Sequence, residues 1–78
     1  MNRPLHVIAR EISADWTRPY FGAVPYIRAM RELGDISEDY GQDSARSIVL
    51  YFLANAGTWR GDTAKRVKRE LKDLAGVK

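Results

Sequence analysis

The sequence predicts an all-α fold, a compact four-helix domain with a largely buried third helix, spanning 1–78 as a single unit. Three observations predict it. Apolar residues recur at helical spacing in three segments, an unbroken apolar block Ile48-Val49-Leu50-Tyr51-Phe52-Leu53 lies among them, and Pro19, Gly34, Gly57 and Gly61 punctuate the intervals. Helices are placed at about 3–16, 23–33, 44–56 and 62–75.

In the first, Leu5, Ile8, Ala9, Ile12 and Trp16 share a stripe, Asn2 is the candidate N-cap and Pro4 fits the first turn. Pro19 disfavours helical geometry at Arg18 and ends it. Pro25 opens the second helix, whose Ala23, Tyr26, Ile27, Met30 and Leu33 share a face, with Gly34 as a left-handed C-terminal residue. An acidic loop follows over 35–43, with Ile36 and Tyr40 turned inward and Ser37 capping a single turn. Asp43 or Ser44 begins the third helix. Its apolar block would suit a strand, but alanines flank it and nothing else in the chain could pair with it, so a helix largely covered by the other three is expected. Asp62 or Thr63 caps the fourth helix, where Ala64, Val67, Leu71 and Leu74 form the seam and Arg66–Glu70 and Arg69–Asp73 form i,i+4 pairs.

The chain has no cysteine, which removes disulfides and thiolate metal sites. No secretion signal is recognised at the start, and the apolar block is too short to span a bilayer, so a soluble cytoplasmic protein with no membrane contact is expected. The formal charge of +3 divides unevenly: −1 through Tyr40 and +4 from Gly41 onward. That asymmetry raises nucleic acid as a partner.

Lys65, Arg69 and Lys72 align on the last helix with Lys68 beside them, forming a candidate nucleic-acid contact. Glu70 and Asp73 dilute the field and no aromatic is interleaved, which favours a merely solvated face. Trp59 and Arg60, in a glycine-bounded turn, form a candidate protein contact because these residue types dominate binding hot spots. Against this, a domain this small needs its aromatics in the core, so Trp59 is expected to cover the end of the bundle. The turn is too long for a helix-turn-helix. No catalytic or metal residue is assigned: His6 is the only histidine and has no neighbouring serine, and the acids Asp35, Glu38, Asp39 and Asp43 lack the order of a calcium loop. No cofactor is expected.

The strings Pro19-Tyr20-Phe21-Gly22-Ala23-Val24-Pro25-Tyr26 and Tyr51-Phe52-Leu53-Ala54-Asn55-Ala56, followed by Trp59-Arg60-Gly61, resemble a group of small uncharacterised bacteriophage and prophage proteins. The resemblance covers nearly the whole chain and carries no activity. It implies a phage gene product acting in the host bacterial cytoplasm. The expected function is a non-enzymatic accessory protein that binds a host or phage protein, with self-association as a homodimer also expected. The alternative is a nucleic-acid-binding protein using the basic C-terminal helix.

Overall fold

The computed structural model describes residues 2–77. Helix α1 runs Leu5–Asp15 and buries Leu5, Ile8, Ala9 and Ile12. Its N-cap is Pro4, in extended geometry at φ −60° and ψ 146°, with no side-chain cap, so Asn2 does not serve in that role. The orphan amides of Leu5 and His6 instead donate to the carbonyls of Gly34 and Leu33, at 2.8 and 2.9 Å. One chain segment thereby ends where another begins, and each satisfies the other's unpaired backbone groups.

A short 3₁₀ turn, Phe21–Ala23, leads into α2, Val24–Met30. This helix is shorter than the expected 23–33. After Met30 the chain tightens, with Glu32 and Leu33 donating to the carbonyls of Ala29 and Met30. Gly34 does not adopt the left-handed conformation, since positive φ is confined to Gly41, Gly61 and Gly76 among the described residues. The segment expected to be an acidic loop contains a small antiparallel hairpin, β1 Asp39–Tyr40 and β2 Asp43–Ser44. Gly41, at φ +62°, supplies the left-handed turn that closes it. Among the described residues the fold is therefore mostly helical, with four α-helices and a two-stranded sheet. Ile36 packs against the core, whereas Tyr40 lies 38% exposed rather than inward.

Helix α3, Ala45–Ala54, starts at Ser44, whose hydroxyl accepts from the Ser47 amide at 3.1 Å. Ala45, Ile48, Val49 and Phe52 are buried, but Leu50 and Leu53 are half-buried and Tyr51 is exposed. The apolar block is thus covered on one side, not all round. Helix α4, Asp62–Ala75, matches its expected span, although its N-cap is Gly61 and Asp62 occupies the first helical position. Gly76 at φ +74° closes α4, with its own amide and that of Val77 donating to the carbonyls of Asp73 and Lys72.

Helices α1, α2, α3 and α4 pack as a ring in which α2 and α4 lie diagonally across the core. The Cα radius of gyration is 11.1 Å, close to the roughly 11.5 Å that size scaling gives for a single compact domain. Neither expected i,i+4 pair on α4 forms among the described residues, and Arg66 and Glu70 pair instead with remote segments. Arg3 grips Glu70 and Glu11 at 2.6 and 2.8 Å, and Arg66 pairs with Glu11.

Candidate functional site

The turn between α3 and α4 presents its aromatic residue inward. Trp59 is 2% exposed, stacks on Trp16 with centroids 5.8 Å apart, and meets Phe52 edge-on at 6.2 Å. Its indole N–H donates to Asp15 Oδ2 at 2.8 Å, so the ring's polar edge is satisfied. Trp59 is therefore withdrawn from any surface contact, while Arg60 beside it is exposed.

Large rings face solvent elsewhere. Phe21 is 80% exposed, Tyr51 47% and Tyr20 45%. The rings of Tyr20 and Phe21 lie 4.8 Å apart, and Tyr51 leans on Tyr26 at 5.5 Å. Gly22 lies between Tyr20 and the end of α3: a Cβ there would sit 2.6 Å from the Tyr20 ring and 2.8 Å from Asn55 Oδ1. With a Cβ at this position the Tyr20 ring or the Asn55 side chain would have to shift. Asn55 in turn donates to the Tyr51 carbonyl at 2.9 Å, which fixes its side chain at the end of α3. Sequence reasoning missed this surface because it read the apolar block as largely buried and the Tyr20–Phe21 segment simply as the turn that ends the first helix. The signal was Tyr51 itself, which falls off the Ile48–Val49–Phe52 stripe.

On α4 the structure brings Lys65, Lys68, Arg69 and Lys72 together along one shallow depression of about 520 Å³, bounded by Asp73 and Val77. Lys65, Arg69 and Lys72 are exposed and Lys68 is half-buried. Lys68 Nζ donates to the Trp59 carbonyl at 2.6 Å and lies 5.9 Å from the Trp59 ring centroid. Burial, then the neighbouring charges of Lys72 and Arg60, lower its pKa. None of the four forms an ion pair among the described residues.

The acidic side chains have structural partners. Glu11 is held below the usual carboxylate range by its hydrogen bonds from Arg66 and Arg3. Glu38 accepts from the amides of Asp35 and Gly34 at 2.9 and 3.1 Å, which lowers its pKa. Asp35 accepts from the Ser37 hydroxyl and amide and is lowered likewise. Among the described residues no group of three or more His, Cys, Asp and Glu could hold a metal ion, and no helix is long and apolar enough to cross a membrane.

These features define a small, mostly helical domain with an aromatic face and a basic face. Comparison with protein-family models, curated proteins and solved structures gives no match.

Proposed function

We propose that the chain is a non-enzymatic protein-interaction module whose contact surface is the aromatic face of Tyr20, Phe21 and Tyr51. One observation carries this reading: Phe21 is 80% exposed in a domain that otherwise buries Trp16, Phe52 and Trp59. A small domain gains most from placing its rings in the core. Rings left in water add little to folding and are the side chains best suited to anchor a partner. The resemblance to phage proteins extends the proposal to an accessory protein that engages a host or phage protein in the bacterial cytoplasm.

Capture from bacterial lysate by immobilised protein tests the reading, with Phe21→Ser and Tyr51→Ser compared against the unaltered chain. The expected result is a specific protein retained by the unaltered chain and lost with Phe21→Ser. Undiminished capture by both variants would overturn the assignment of this face. Sedimentation over a range of concentrations checks the homodimer expectation, since a second copy seated here would dissociate in the Phe21→Ser variant.

A further inference from the structure

The basic depression on α4 is left unused by the protein-interaction reading and lies on a different helix. Its isolation from acids follows from the packing. Glu70, which in sequence sits inside the basic stripe, turns away to Arg3, and Glu11 draws Arg66 to the same side. Both bridges face α1. Another side of α4 keeps Lys65, Lys68, Arg69 and Lys72 with Asp73 as the only acid in their lining among the described residues. Lys68 is fixed in place by the Trp59 carbonyl, and its partial burial raises the value of an anion arriving there. Arg60 adds its field from the preceding turn.

We propose that this face binds the phosphodiester backbone of nucleic acid without reading sequence. From Lys65 to Lys72 the helix rises about 10.5 Å, enough to meet roughly three successive phosphates of one strand. Arg69 and the lysines supply point charges and one fork, and no aromatic ring is exposed among them for base stacking. Affinity therefore comes from counterion release, and duplex DNA, single-stranded DNA and RNA all compete for the surface.

Fluorescence anisotropy with short labelled duplex DNA, single-stranded DNA and RNA tests this, measured from about 50 to 200 mM salt. For about three to four neutralised phosphates, duplex affinity should fall roughly 40- to 150-fold over that range. The variant combining Lys65→Gln, Arg69→Gln and Lys72→Gln touches only exposed side chains and should reduce the logarithmic salt slope by about three. A control combining Arg10→Gln, Arg18→Gln and Arg28→Gln changes net charge equally and should keep the slope near that of the unaltered chain. The idea is overturned by absence of binding at low salt. It is equally overturned if both triple variants weaken binding alike, or if the chain binds phosphatidylserine vesicles and no nucleic acid.

Discussion

Trp59 shows how one polar atom can govern a buried ring. Its indole N–H reaches Asp15, a residue whose own surroundings are open to solvent. The pair is therefore asymmetric. Removing the carboxylate strands a donor on a ring that is 2% exposed, whereas removing the donor returns the carboxylate to water. Asp15→Ala is expected to cost about 1–3 kcal/mol, and Asp15→Asn, which keeps an acceptor in place, less than about 1 kcal/mol. Urea denaturation followed by tryptophan fluorescence separates the two, because both indoles stack in this cluster. A loss of equal size in both variants would show that the carboxylate's charge, not its acceptor, is what matters.

At the scale of elements, the legibility of the sequence depended on whether local chemistry or tertiary packing decided the outcome. Stripes at helical spacing identified all four helices, and Ser44 capped α3 from its own side chain. The span of α4 was legible because its apolar seam is sharply segregated from its charged faces. The start of α1 was not legible, since its amides are capped by Leu33 and Gly34 from a remote segment. The Glu70 pairing was equally hidden: a neighbour four residues away was available, but Arg3, 67 positions distant in the segment before α1, offers a two-point grip. The basic stripe could be read from spacing alone, while its freedom from Glu70 and the exposed aromatic face required the packed structure.

Two glycines in one turn give an element-scale contrast. Gly61 sits at φ +114° and ψ 178°, a region that side chains other than glycine's scarcely enter. Gly57 has no positive φ and open space where a Cβ would lie. Gly61→Ala should therefore lose about 1–3 kcal/mol, whereas Gly57→Ala should gain up to about 1 kcal/mol by restricting the unfolded chain. Thermal melts of the two variants check the opposite signs.

The bridge between α1 and α4 adds a pH dependence. Arg66 and Arg3 hold the Glu11 carboxyl below its ordinary pKa, so the folded state binds its proton less readily than the unfolded state. The resulting stability is complete above the ordinary carboxylate pKa and is lost as pH falls through the lowered folded value. Glu11→Gln removes it. The variant should be less stable by about 0.5–1 kcal/mol at neutral pH, a figure kept small by solvent screening, and should converge on the unaltered chain as pH falls through the lowered folded value of the carboxyl. Chemical denaturation at neutral pH and through that fall measures this.

For the whole molecule, the same residue type is placed under two opposite pressures. Phe52 is fully buried where Trp16 and Trp59 meet it edge-on, and Phe21 is 80% exposed. Phe52→Ala removes a ring from a closed core and is expected to cost about 3–5 kcal/mol. Total stability for a chain of this length is on the order of 4–12 kcal/mol, so that variant should be unfolded to a substantial degree at physiological temperature. Phe21→Ser removes mainly a contact with the half-exposed Tyr20 and should leave stability within about 0.5 kcal/mol. Folding alone would thus tolerate serine at position 21, which is what the proposed contact role of this ring requires. Parallel urea curves for Phe52→Ala and Phe21→Ser decide the matter. A large loss for Phe21→Ser would place its ring among the groups that hold the fold together and would remove it as the anchor of the aromatic face.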